Sequence, residues 1–129
     1  MEKTLLKVEV ELEITDEDID DIMSAALDGG ITYWCYRAEV VEDEYFGEYA
    51  SEQISRGGSL NLYDSEEDEV HLLTKENFME GLKQFIASGR VGILEKKMSG
   101  KLGIDVLLLD ADDADCIIQY ALFNDVIYG

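Results

Sequence analysis

The chain has no proline, two cysteines, one histidine and one tryptophan. Without proline, its turns must come from Gly, Asn and Asp. Cys35 and Cys116 are too few and too far apart for a disulfide framework or a Cys-x-x-Cys metal site, and they read as buried thiols in a reducing cytosol. No apolar run approaches the ~18 residues of a membrane span. The start, Met-Glu-Lys-Thr-Leu-Leu-Lys, has no apolar stretch long enough for a signal peptide. Basic residues are the other shortage: 10 Lys and Arg stand against 30 Asp and Glu, a formal net charge of −20. Phosphate-directed nucleic-acid binding needs clustered Lys and Arg, so direct contact with nucleic acid is not expected. An anionic membrane surface is disfavoured for the same reason. Nucleophile elbow, P-loop and dinucleotide fingerprint are all missing, and the chain reads as a non-enzyme.

What is present bounds the fold. At 129 residues, one domain spanning 1–129 is expected. An apolar share of 47% supports a real core in spite of the charge. Leu6, Val8, Val10, Leu12 and Ile14 alternate with Lys7, Glu9, Glu11 and Glu13. This period of two predicts a strand with a glutamate ladder on its outer face. Thr15 is a candidate N-cap, with Asp18 in the capping-box position. Ile19, Ile22, Met23, Ala26 and Leu27 then fall on one helical face. Gly29-Gly30 reads as a left-handed stop, and 31–41 as an aromatic strand.

Further on, a loop from Glu42 leads to a short helix near 48–55. Residues 59–63 and 69–73 read as a hairpin, with His71 on its solvent face. Thr74 caps a helix bearing Phe78, Met79, Leu82, Phe85 and Ile86, which Gly89 stops. Residues 90–103 form a mobile loop or a loose hairpin. A strand over 103–109 precedes a helix capped by Asp110, and Val126-Ile127-Tyr128 closes the chain. The expected class is α+β: a mainly antiparallel sheet of five or six strands, two long helices packed on one face and a further helix near 48–55. A shift of 95 positions lays Asp18, Asp20, Ile22, Ala26, Leu27 and Tyr33 on Asp113, Asp115, Ile117, Ala121, Leu122 and Tyr128. Two related folding units are one reading of that echo.

Chemistry-bearing patterns are weak. With 30 carboxylates, no single pair of acids is informative. The run Asp110-Ala111-Asp112-Asp113-Ala114-Asp115 lacks the Gly and Glu of a calcium loop and suits a helix start better. No metal or cofactor is expected.

Charge remains. Residues 9–70 carry twenty acids against Arg37 and Arg56, a net of −18. Residues 90–101 carry Arg90, Lys96, Lys97 and Lys101 against Glu95, a net of +3. Two readings stand: a solvated acidic surface with Tyr45, Phe46 and Tyr49 as local core, or carboxylates in rows, with those aromatics as anchors, that compete with DNA for a basic channel. The candidate contacts are Glu9, Glu11, Glu13, Asp16, Glu17, Asp20, Glu42, Asp43, Glu44, Tyr45 and Glu48.

Three segments carry a resemblance. They are Gly47-Glu48-Tyr49-Ala50-Ser51-Glu52-Gln53-Ile54-Ser55-Arg56-Gly57-Gly58-Ser59-Leu60, Ile117-Ile118-Gln119-Tyr120-Ala121-Leu122-Phe123, and Ile31-Thr32-Tyr33-Trp34-Cys35. With them the chain resembles a family of small, acidic, uncharacterised proteins of bacteriophages and mobile elements. Some anti-CRISPR proteins are similar in size and charge. The resemblance implies an anti-defence context in the cytoplasm of a bacterial host, and within that context the charge distribution is read as a DNA mimic that binds and inhibits a basic, nucleic-acid-binding host protein. Two alternatives stand beside it. One is a nucleotide or signal-molecule sink near Arg56-Gly57-Gly58 and Lys96-Lys97. The other is an acidic subunit of a phage complex; a homodimer also fits the pattern.

Overall fold

The computed structural model describes residues 1–129. It is an α+β fold of three helices and two small antiparallel sheets. Helix α1 spans Asp16–Ala25 and continues as one π turn over Ala26–Gly30. Strand β1 (Cys35–Val40), β2 (Leu60–Asp64) and β3 (Glu69–Leu73) form one sheet in that order. Helix α2 (Lys75–Ala87) follows, then the hairpin of β4 (Leu94–Lys96) and β5 (Leu102–Ile104), then helix α3 (Ala111–Phe123).

Helix starts form as their residues dictate. Thr15, Thr74 and Asp110 each accept from the backbone N–H three residues on, and the side chains of Asp18, Asn77 and Asp113 return the bond. Each reciprocal pair satisfies donors that a helix start leaves open. Gly89, at φ 118°, ends α2 as expected.

The sheet departs from expectation. There are three strands and two strands, where five or six in one sheet were predicted. Residues 6–14 are not a strand: only Leu12 finds a partner, through one parallel bridge to Leu102. Alternation makes such a segment suited to pairing, but β5 is three residues long and has no edge left for residues 1–11. The helix expected near 48–55 is a single 3₁₀ turn at Ala50–Glu52, followed by turns. Residues 126–128 form no strand, and the strand expected over 103–109 is limited to Leu102–Ile104. Of the two readings for 90–103, the hairpin is the one found.

Twenty-one buried apolar side chains form one cluster, drawn from all three helices and both sheets. Leu60, Leu62 and Leu73 bring the inner sheet face into it. Two glycines set how closely helices approach. Gly30 is not in the left-handed region, so the expected stop is corrected. A Cβ there would lie 2.5 Å from the carbonyl oxygen of Ala111, so Gly30 seats the π turn on the start of α3. At Gly81, a Cβ would stand 2.6 Å from both the amide nitrogen of Ala121 and the carbonyl oxygen of Ile117. Helices α2 and α3 therefore approach to backbone contact distance at this point. Gly81→Ala is expected to lower stability. Overpacking costs about 1–3 kcal/mol, which outweighs the ~1 kcal/mol that alanine gains in helix propensity. A fall in the urea midpoint at unchanged slope checks it.

Candidate interaction surface

The most fully built surface is the loop between β1 and β2. Glu42, Asp43, Glu44, Tyr45, Phe46, Glu48 and Tyr49 are all exposed. Exposure usually goes with loose backbone, yet this loop is tied at four successive points. The buried Gln53 side chain donates to the carbonyl of Glu44 (2.9 Å) and accepts from the N–H of Phe46 (3.0 Å). Glu52 accepts from the N–H groups of Glu48 and Tyr49, each at 3.0 Å. Arg56 donates to the carbonyl of Phe46 (3.3 Å) and pairs with Glu52 at 3.4 Å. Gly58 is required beside Gln53, since a Cβ would come 2.2 Å from its Nε2.

Strain marks the same loop. Glu42 and Asp43 sit in the left-handed region, at φ 56° and 55°. Such conformations cost about 1–3 kcal/mol each for residues other than glycine, and persist only where surroundings impose them. The N–H of Glu44 donates to the Val41 carbonyl at 3.1 Å and that of Tyr45 to the Asp43 carbonyl at 3.2 Å, and the Gln53 and Glu52 bonds fix the residues that follow. They hold three aromatic rings and four carboxylates outward.

The loop is joined to α1. Ser55 Oγ donates to Asp20 at 2.6 Å, and Lys75 Nζ donates to the Ser55 carbonyl at 3.0 Å. Lys75 Nζ also lies 3.9 Å from Asp16. Asp20 is thus engaged in structure, while Asp16 and Glu17 remain exposed at the helix start. On the other side of α1, Glu13, Glu17, Asp18 and Asp21 line an open cleft of about 450 Å³ with Lys97 and Ser99. Glu13 accepts from Ser99 Oγ at 3.2 Å. Glu9 and Glu11 are exposed on the unpaired segment, so no rigid ladder of Glu9, Glu11 and Glu13 exists. The fold brings Asp16 and Asp20 toward the 42–49 loop through Lys75 and Ser55, sets Glu13 and Glu17 in the cleft on the other side of α1, and leaves Glu9 and Glu11 apart.

The cations of this half are already engaged. Arg37 pairs with Glu39 and lies over the Tyr63 ring, and Arg56 holds the loop. In the basic stretch, Arg90 forms a two-pronged pair with Asp113, and Lys97 donates to Glu95 (2.6 Å) and to the Ile104 carbonyl (2.7 Å). The Glu95 hydrogen bond raises the Lys97 pKa. A carboxylate-lined cleft whose lysine is already bonded is poorly suited to an anion.

No family model, curated protein or solved structure matches this chain.

A second polar constellation lies inside, and residue spacing did not disclose it. Asp64, buried, accepts from His71 Nε2 (2.9 Å), Tyr128 Oη (2.7 Å) and the N–H groups of Glu66 (2.8 Å) and Glu67 (3.3 Å). His71 therefore faces inward, against the solvent-facing placement expected for it, and stands edge-on to Phe123 at 4.9 Å. Its register partner is Leu62, which fixes that face. Asp115 accepts from Tyr33 Oη (2.6 Å), Trp34 Nε1 (2.8 Å) and Gln119 Nε2 (2.9 Å). Burial, then the hydrogen bond to Asp115, pushes the Tyr33 phenol up to about 12. Gln119 Oε1 accepts from the N–H groups of Ile127 and Tyr128, both at 2.8 Å, and so holds the last residues against the core. The echo of Tyr33 in Tyr128 ends here in a shared role: each hydroxyl donates to a buried aspartate, though the second is followed by no strand. Every buried side-chain nitrogen and oxygen is satisfied, so these groups read as a polar frame. The cysteines are free, and burial raises both thiol pKa values, which makes them poor nucleophiles at neutral pH.

Proposed function

We propose that this protein is a phage or mobile-element anti-defence protein that binds and inhibits a basic, nucleic-acid-binding host protein of the CRISPR-effector type, without catalysis. The observation that carries the reading is the loop Glu42–Tyr49: strained, tied at its backbone, and presenting acids interleaved with aromatic rings. Interfaces favour aromatic anchors, and a rigid loop loses little entropy when bound. Glu42, Asp43, Glu44, Tyr45 and Glu48 are its central contacts, with Phe46 and Tyr49 added. Asp16, Glu17 and Glu13 extend the acidic surface along α1. A basic groove that accepts DNA phosphates would be occluded by such carboxylates, as a DNA mimic does.

The test is capture from host lysate at two salt concentrations, followed by titration of the captured partner. Affinity is expected to fall steeply with salt. The triple charge reversal Glu42→Lys, Asp43→Lys and Glu44→Lys is expected to weaken binding by at least about tenfold, from loss of roughly 1.4 kcal/mol or more, while the far-UV circular dichroism is unchanged. Affinity that is flat in salt, or indifferent to the reversal, defeats the reading. Sequestration of a nucleotide near Arg56 and Lys97 has less support, because both cations are already bonded within the chain.

A further inference from the structure

Residues 1–11 present an unusual combination. From Leu6 on they alternate like a strand but have no partner, and Leu6, Val8 and Val10 are 86%, 70% and 50% exposed, with Leu5 before them at 93%. A monomer gains nothing from four aliphatic side chains placed in water on one unpaired segment.

The geometry points to a second copy of this chain as the occupant, with the two segments pairing antiparallel about a two-fold axis at Val8. One feature selects that register, and two others require that even-numbered residues pair with even-numbered ones. Charge is the first. Centring on Val8 sets each residue opposite the one whose number completes 16. Lys7 then faces Glu9 of the other copy, and Lys3 faces Glu13. Centring one residue earlier sets Lys7 against Lys7, and one later sets Glu9 against Glu9. Cross-strand opposite charges stabilise and like charges destabilise.

Side-chain direction is the second. Leu6 falls opposite Val10, and Val8 opposite Val8, so the apolar faces of both segments lie on the same side. That side continues through Leu12 and Ile14, which pack on the core. The aliphatic ladder of one copy is thus carried toward the core of the other.

Hydrogen-bonding direction is the third. The N–H of Glu13 donates to the Leu102 carbonyl at 2.8 Å, so odd-numbered residues point their backbone groups at β5. In an extended strand the even-numbered residues point theirs to the opposite edge. Those are the residues that a centre on any whole residue makes into hydrogen-bonded pairs, and charge then places that centre at Val8. The product is a six-stranded sheet running β4, β5, segment, segment, β5, β4 across the dimer. This assembly is independent of the partner reading above.

The experiment is sedimentation equilibrium of the full chain with charge variants. Wild type is expected to be a dimer. Lys7→Glu sets a second carboxylate against Glu9 of the other copy at two symmetric positions, and is expected to raise the dimer dissociation constant by roughly tenfold. The double variant Lys7→Glu with Glu9→Lys restores opposite charges and is expected to restore the dimer. Val8→Pro removes the central N–H donors and is expected to give a monomer with an unchanged far-UV circular dichroism and a thermal midpoint equal to that of wild type diluted below its dimer dissociation constant. A wild-type monomer at high micromolar concentration overturns the proposal. So does a double variant that stays as weak as the single one, since association through unspecific apolar contact has no register to rescue.

Discussion

Trp34→Ala is expected to remove about 3–5 kcal/mol of stability, the range for deleting a large buried aromatic side chain. Trp34 is fully buried and packs against Phe123 and Tyr128, with ring centroids 5.9 and 5.5 Å away. Those rings come from the end of α3 and from the last residues of the chain. The cavity would therefore open where β1, α3 and the C-terminal segment meet. The loss has a polar part as well. Trp34 Nε1 donates to the buried Asp115, and its removal takes one of three donors from that carboxylate. Trp34→Phe retains most of the packing and removes the donor, so it isolates the polar part at about 1–3 kcal/mol. Trp34 is the only tryptophan, so unfolding has to be followed by far-UV circular dichroism against urea. With total stabilities of about 5–15 kcal/mol for small domains, the alanine variant is expected to be near its folding threshold. Equal midpoints for wild type and Trp34→Ala would place the core elsewhere.

Asp64→Ala is expected to cost about 3–5 kcal/mol at neutral pH, the range for removing one partner from a buried charged network. Four donors converge on this carboxylate: His71 Nε2, Tyr128 Oη and the N–H groups of Glu66 and Glu67. Burial pushes the Asp64 pKa up. The bonds from His71, Tyr128, Glu66 and Glu67 outweigh it, and the net displacement is downward. A carboxyl held below its unfolded value of ~3.9 stabilises the fold above about pH 4, and that contribution is lost as pH falls through the folded value. The gap between wild type and Asp64→Ala is therefore expected to be full at pH 7 and to narrow below about pH 4. Comparing two variants matters here, because acid also relieves the repulsion among the other carboxylates, and it does so equally in both. A gap that stays constant down to about pH 2.5 would show that the carboxylate charge has no part in the network. Burial pushes the Asp113 pKa up, the bonds from Arg90 outweigh it, and its net downward displacement acts with the same sign.

What was legible follows from how local each signal is. The three helix starts were readable because a cap and its return partner lie three residues apart. The β2–β3 hairpin was readable because its pattern and turn are contiguous. The segment 6–14 misled for the complementary reason. Alternation reports what a segment could pair with, and whether an edge exists for it depends on the length of β5, far along the chain. Gly29-Gly30 misled similarly. A glycine serves either positive φ or close approach, and only the position of Ala111 tells which. Among the candidate contacts, Glu42, Asp43, Glu44, Tyr45 and Glu48 lay in one stretch of sequence and share one loop. Gln53, which holds that loop, has no pattern to announce it. Its partners are backbone groups seven and nine residues away, in a segment without periodicity.

The stretch Thr15–Trp34 shows the same division within twenty residues. Its capping box, its apolar face of Ile19, Ile22 and Met23, and its excess of carboxylates were determined by the sequence, because they depend on spacing and composition alone. Tertiary structure decided that the helix runs on as a π turn, that Gly30 meets Ala111, and that Asp20 turns to Ser55. It also set Trp34 on Asp115 and left Glu9 and Glu11 on a segment with no edge to join. Each of these depends on a group far away in the chain, and local spacing carries no record of which distant group will arrive.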